Sequence, residues 1–293
     1  MERQQETFFG CDAAYEDARI VIFGAPFDST TSYRPGTRFA GRVMRSEAYG
    51  LETYSPYQDI DIAEAQVFDA GDLELPFGDT EAALAAIEAR AAEILADGKR
   101  PFMLGGEHLV TLGAVRAAAK KYPGLCVVHF DAHTDLRDEY LGVKLSHATV
   151  IRRCWDLLGD GRIFQFGIRS GEGAEFRWAE KEGHTHLRRF DFAGLREAVA
   201  ELSGKPVYFT IDLDVLDPSC FPGTGTPEAG GVTFKELLQA ALAVIDGARV
   251  IGCDLVELSP PLDASGASTA TALKVLREML LAMEKPFLSP ERV

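Results

Sequence analysis

The sequence predicts an α/β fold built on a mainly parallel β-sheet covered by helices on both faces. Three observations carry that prediction. Short apolar runs alternate with stretches of helical periodicity along the chain. Turn residues separate them, with no linker, repeat or low-complexity tract, so residues 1–293 read as one domain. Three of the apolar runs, at 102–104, 125–130 and 207–211, end at once in acids and imidazoles, and open parallel sheets gather their sites at the carboxyl ends of strands.

The first strand is Ile20-Val21-Ile22-Phe23, stopped by Gly24-Ala25-Pro26. Residues 27–37 are polar, with Pro35 and Gly36 as punctuation, and form a long loop beside the site or at a subunit contact. A helix follows over 39–49, then an edge strand over 65–69 and a turn at Gly71-Asp72. Leu84, Ile87, Ala91, Ile94 and Leu95 recur at helical spacing and predict a helix over 80–97, capped by Thr80 and ended by Gly98. Beyond strand 102–104, Gly105-Gly106 allow a tight turn into a helix over 108–121.

Residues 125–130 form the central strand, and 136–140 a charged, solvated loop within reach of a substrate tail. Ser146 caps a helix over 147–158. Next come a strand over 162–167, a loop over 168–171, a helix over 174–181 and a short segment at 185–187. The strand at 207–211 is followed by a long Gly- and Pro-rich loop, 219–231. Thr233-Phe234-Lys235-Glu236 is a capping box, opening a helix with Leu237, Leu238, Ala241, Leu242 and Ile245 on one face. The last strand runs over 250–256, with Glu257 at its end, and a final helix over 268–283 leads to a short polar tail.

Composition narrows the function. Hydrophobic residues make up 46% and charged residues 26%, as in ordinary globular proteins. A formal net charge of -15 argues against a nucleic-acid partner, which needs a basic footprint, and is compatible with a cationic substrate. The five cysteines, Cys11, Cys126, Cys154, Cys220 and Cys253, include no C-x-x-C pair, and the odd count suits a reducing, cytoplasmic setting. The first seven residues lack the apolar core of a signal peptide. No apolar run approaches the ~18 residues of a membrane span.

Asp131, His133 and Asp135 follow the central run at alternate positions, which on extended backbone puts them on one side. Buried carboxylates without partners are costly, and a bound cation removes that cost. His108 ends another strand, and Asp212 and Asp214 a third. Six ligands with four carboxylates exceed what one tetrahedral ion needs, so two divalent ions with bridging carboxylates fit better. Ligands this hard favour Mn²⁺, with Mg²⁺ or Zn²⁺ as alternatives. Two ions about 3.5–4 Å apart hold a bridging water and lower its pKa, a chemistry for hydrolysis at an electrophilic carbon or phosphorus. His129 reads as core or outer support, Asp254 as outer support, and His184 and His186 as solvated.

Three motifs together resemble the ureohydrolase (arginase and agmatinase) family. They are Gly105-Gly106-Glu107-His108, Phe130-Asp131-Ala132-His133-Thr134-Asp135, and Asp212-Leu213-Asp214-Val215-Leu216-Asp217-Pro218 with Gly223-Thr224-Gly225-Thr226-Pro227-Glu228. Ser32-Tyr33-Arg34-Pro35-Gly36, Ser146-His147-Ala148-Thr149, Gly167-Ile168-Arg169-Ser170 and Val256-Glu257-Leu258-Ser259-Pro260-Pro261 support the resemblance, which runs over 20–283 and is strongest to the bacterial agmatinases.

The resemblance implies a three-layer α/β/α, arginase-like fold and two Mn²⁺ per chain. His108, Asp131, Asp135 and Asp212 would hold one ion, and His133, Asp131, Asp212 and Asp214 the other. Glu257 matches the position that binds the guanidinium group, and a carboxylate at a strand end is in any case suited to a planar cation. His147 matches the proton-shuttle histidine; the usual His-Gly there is His147-Ala148 in this chain, which marks a subgroup. The implied reaction is hydrolysis of agmatine to putrescine and urea, with Asp135 passing a proton to the leaving amine. Homotrimers or homohexamers are implied, with the 32–37 loop as a candidate contact.

Three alternatives stand beside it. Guanidinobutyrate or arginine could replace agmatine, although Asp138 and Glu139, in the loop that would face the substrate tail, disfavour a carboxylate there. A metal-dependent deacetylase would use one zinc and fewer carboxylates. A catalytically silent protein on the same scaffold would not need every ligand and Glu257.

Overall fold

The computed structural model describes residues 7–288. The amino-terminal stretch read for a leader segment, apart from Thr7, and the last five residues of the polar tail lie outside them. The strands are β1 (Ile20–Ala25), β2 (Tyr54–Ser55), β3 (Ile60–Asp61), β4 (Val67–Asp72), β5 (Arg100–Gly105), β6 (Cys126–Phe130), β7 (Ile163–Ile168), β8 (His186–Arg189), β9 (Pro206–Asp212) and β10 (Arg249–Val256). The helices are α1 (Ala40–Glu47), α2 (Thr80–Ala96), α3 (Thr111–Lys121), α4 (Val150–Leu158), α5 (Gly173–Phe176), α6 (Leu195–Glu201), α7 (Phe234–Gly247) and α8 (Ala267–Glu284).

Eight strands form one sheet in the order β4-β1-β5-β10-β9-β6-β7-β8, with every neighbouring pair parallel. Alternate residues of each strand serve opposite layers. Ile20 and Ile22 join the apolar cluster under α1, α6, α7 and α8, whereas Val21 and Phe23 join the one under α2, α3 and α4. That is the expected α/β/α sandwich. In the first cluster Phe130 sits among Phe166, Phe192 and Phe209, with ring centroids 5.9, 4.5 and 4.9 Å away. Among the described residues no helix is long and apolar enough to cross a membrane.

The sheet order matters most at the middle. The strands β5, β10, β9 and β6 are neighbours, and Leu104 pairs with Leu255, Leu255 with Ile211 and Ile211 with Phe130. Four strand ends are therefore flush, and the chain leaves each of them toward a common point.

Several expected elements differ locally. The cap of α2 is Asp79, not Thr80: Asp79 takes extended backbone and its carboxylate accepts the Ala82 N–H, which places Thr80 inside the helix. The expected turn at Gly71-Asp72 is the end of β4 itself. The helices after Glu107 and Ser146 open with a 3₁₀ turn, His108–Val110 and His147–Thr149, before α3 and α4 begin. The helix expected over 174–181 is a short α5 continued by a π turn, Arg177–Lys181. Helix α6 and the antiparallel β2–β3 ribbon were not anticipated. Helix α6 buries only Leu195 and Val199, too few apolar positions to show a period, and each ribbon strand has two residues.

Candidate active site

Each of the four flush strands hands a carboxylate or imidazole to the same place. From β5 comes His108, from β6 Asp131, from β9 Asp212 and Asp214, and from β10 Glu257. Strict alternation along one extended strand does not explain Asp131, His133 and Asp135. Regular pairing of β6 stops at Phe130, His133 makes only an isolated bridge to Ser170, and Asp135 adopts a left-handed φ of 52°. A bend folds the three side chains together, and the Asp135 carbonyl, accepting the N–H groups of Ile151 and Arg152, anchors it to α4.

The six residues named from the sequence meet around two foci. His108 Nδ1 lies 3.0 Å from Asp131 Oδ2, 3.1 Å from Asp135 Oδ2 and 3.4 Å from Asp212 Oδ2. His133 Nδ1 lies 3.0 Å from Asp214 Oδ2 and 3.5 Å from Asp131 Oδ1. Asp131 thus turns one oxygen to each focus. His108 Nδ1 is buried yet forms no properly directed hydrogen bond with the three carboxylates around it. An orphaned imidazole nitrogen among converging carboxylate oxygens is the arrangement a cation completes. Electrostatics agree. Burial, then the charges of Asp214 and Asp131, push the Asp212 carboxyl well up, and burial with Asp131 raises Asp135 to about 7. The site holds more negative charge than it can stabilise alone, so these residues fit divalent metal.

An outer layer fixes the ligands. His129 lies in β6 with its Nε2 2.8 Å from Asp131 Oδ2. Its tautomer follows from Gln165, whose Oε1 accepts the Thr185 hydroxyl at 2.9 Å, leaving its NH₂ to donate to Thr134 O and to His129 Nδ1, 3.1 Å away. His129 Nε2 therefore carries the proton and donates it to Asp131. The expectation that His129 supports the site from behind holds. Asp254 also sits behind it, its Oδ2 accepting the Thr111 and Tyr208 hydroxyls at 2.9 and 2.8 Å. Gln165 escaped notice in the sequence, although one amide inside the run Ile-Phe-Gln-Phe was the available signal.

A cavity of about 260 Å³ opens over the cluster, with His108, His133, Asp135, Asp212, His147 and Glu257 in its wall. Glu257 is buried and left-handed, with a φ of 63°, and its Oε1 accepts the His108 N–H at 2.8 Å. A positive φ is uncommon for Glu, and its hydrogen bond and packing hold it there. His147 opens the 3₁₀ turn before α4, and burial pushes its pKa down to about 4, so the ring is neutral at neutral pH. Ser32 Oγ lies 3.3 Å from its Nε2, and the Tyr140 ring packs edge-on at 5.8 Å.

Two expectations about surroundings are corrected. Asp138 and Glu139 are not in the cavity wall; Asp138 turns outward to Arg153 at 2.7 Å. The loop contributes Arg137 and Tyr140 instead, and Arg137 pairs with Glu172 at 2.8 Å. His184 and His186 are only partly solvated: His184 stacks on Trp178 at 4.4 Å and His186 on Phe164 at 4.3 Å. An imidazole in a polar stretch still has two flat faces, and here nearby aromatic rings cover one.

Comparison with known proteins places this geometry. The Arginase family profile matches residues 18–282. An agmatinase from Bacillus anthracis is 48% identical over 96% of this chain and 97% of its own length. A guanidinobutyrase from Pseudomonas aeruginosa is 37% identical over 91% of this chain and 86% of its own. The crystal structure of an agmatine ureohydrolase from Thermoplasma volcanium superposes with a TM-score of 0.88 at 36% identity, covering 97% of this chain and 96% of that one. With a matching fold and a His/Asp cluster able to hold metal, the chain belongs to the arginase family and is a metal-dependent ureohydrolase.

Proposed function

We propose that this enzyme hydrolyses agmatine to putrescine and urea with two Mn²⁺ bound per chain. The observation that carries the reading is the pair of foci sharing Asp131, beneath a cavity that also presents Glu257. His108, Asp131, Asp135 and Asp212 would hold one ion, and His133, Asp131, Asp212 and Asp214 the other. Divalent ions bound there supply acidified water and positive charge beside the reacting carbon.

The chain's own residues do the rest. Glu257 pairs with the guanidinium and fixes its plane. Water adds to the guanidinium carbon, the bond to the substituted nitrogen breaks, and that nitrogen needs a proton to leave as an amine. Asp135, on the cavity wall, takes the proton that the adding water gives up and delivers it. His147, neutral at neutral pH, carries protons between the cavity and solvent past Ser32.

The tail of agmatine is an ammonium group. Glu172 and Glu175 both line the mouth beside Arg137, two acids around one base, which favours a cation. The 48% identity to an agmatinase supports the same substrate. Guanidinobutyrate, or arginine, is the second reading, and Arg137 is what favours it, because a guanidinium at the mouth could receive a carboxylate. Urea release from agmatine, guanidinobutyrate and arginine, with bound metal counted on the same sample, tests the choice. Agmatine should have the highest kcat/KM; urea from guanidinobutyrate alone would replace the substrate.

We also place the enzyme in the cytoplasm, as a homotrimer or homohexamer. Five free thiols support the first, and exposed Tyr33, Leu141 and Val143 support the second.

A further inference from the structure

We infer that Glu107 is a positioning residue for His147, acting through the hydroxyl of Thr30. The inference rests on the proton-carrying role proposed above for His147. Glu107 stands one residue before His108, but it is absent from the cavity wall and completely buried. Its carboxylate is turned to the loop after β1. It accepts the Thr30 N–H at 2.8 Å, the Thr31 hydroxyl at 3.2 Å and, more closely, the Thr30 hydroxyl.

A hydroxyl has one proton to give. Since Thr30 gives it to Glu107, its oxygen is left to accept, and the His147 N–H donates to it at 3.1 Å. The same loop is tied to Glu107 by backbone as well, through Glu107 N to Phe27 O at 2.7 Å. Gly106 makes that approach possible, because a Cβ there would lie 1.8 Å from Phe27 O. Two residues past Thr30, Ser32 meets His147 Nε2, while Ser146 Oγ lies 3.3 Å from Nδ1. The backbone of His147 and its outer ring nitrogen are thus held by one loop, and Glu107 fixes that loop.

A loop staple with no bearing on catalysis would show the same contacts, so the test must read coupling. Glu107→Gln keeps the shape but sets an NH₂ group against one of the two Thr30 donors. Thr30→Val removes the hydroxyl, and Thr30→Ser keeps it. Each is made in the Mn²⁺-loaded enzyme and again beside His147→Asn, with urea release from whichever guanidino substrate the unaltered chain hydrolyses. Misplacing a proton carrier by about 1 Å can cost on the order of 100-fold. Glu107→Gln and Thr30→Val should each lower kcat about tenfold or more, with KM changed less than about twofold. Thr30→Ser should restore most of the loss, metal content should stay at the unaltered level, and beside His147→Asn the further cost should fall below about twofold. An undiminished loss beside His147→Asn, a loss confined to KM, or a drop in bound metal overturns the inference while leaving the proposed reaction standing. If His147→Asn alone leaves kcat unchanged, the role of His147 falls first and the inference with it. Should Glu107→Gln not fold, Thr30→Val reads the same coupling.

Discussion

Glu257→Gln should weaken catalysis and strengthen the metal-free fold. Glu257 is 6% exposed, and burial, then the charge of Glu107, hold its carboxyl well above the usual range. A carboxyl raised on folding contributes fully below its unfolded pKa, and that contribution is lost as pH rises through the folded value. At pH 8 the native chain therefore carries a cost that is absent at acid pH, either a buried charge or a proton that the unfolded chain has already released. Gln keeps an oxygen for the His108 N–H and the same left-handed backbone, so charge is the principal change. Removing the ionisable group should add about 1–2 kcal/mol at pH 8, which for a chain of this size is roughly 1.5–3 °C in Tm. Near pH 4.5 the gain should vanish. Loss of the partner to a buried guanidinium costs about 2–5 kcal/mol, roughly thirtyfold to several-thousandfold in kcat/KM. Calorimetry of chelated protein at both pH values, beside urea release from loaded protein, measures the two effects. A lower Tm at pH 8, or kcat/KM within threefold of the unaltered chain, would refute the reasoning.

Other outcomes follow from the same geometry. Chelation should lower Tm, and back-titration with Mn²⁺ should raise it as the metal concentration grows, by about 2.7 kcal/mol at 100 times Kd; a Tm indifferent to metal would count against the foci. Gln165→Met breaks the relay that fixes the His129 tautomer, and metal affinity measured against a competing chelator should fall about 10- to 100-fold. The Ser219 hydroxyl, with the N–H groups of Ser219, Gly231 and Gly230 that Asp217 accepts, holds the Asp217 pKa down to about 2. Its stabilisation is present above the unfolded value and lost as pH falls through about 2. Asp217→Asn should cost at most about 1 kcal/mol at pH 7, the site being half-exposed and screened, and less at pH 3, by denaturant melts.

Much of this architecture was legible because it is periodic or chemical. Apolar runs of four to seven residues between breakers marked β1, β6, β7, β9 and β10, and acids or imidazoles directly after β5, β6, β9 and β10 pointed to one site. What escaped depends on three-dimensional neighbours. The bend at Asp135 needs a left-handed residue that no motif requires to be Gly. Gln165 and Glu107 act through partners 36 and 77 positions away in the chain. The charged run at 137–139 looks like a unit in the sequence, but a loop splits its residues: Arg137 turns in and Asp138 turns out to Arg153. Thr80 and Asp79 can both cap a helix, Asp being the stronger, and backbone geometry settles the cap on Asp79.

Metal counting and turnover on one preparation bear most directly on the proposed reaction. The metal-free chain is loaded with Mn²⁺, the bound ions are counted by elemental analysis, and agmatine is then supplied while urea and putrescine are followed together. Two ions per chain and equal amounts of the two products are expected. A chain with both ions bound that releases no urea from agmatine, or one that turns over fully with a single ion, would contradict it.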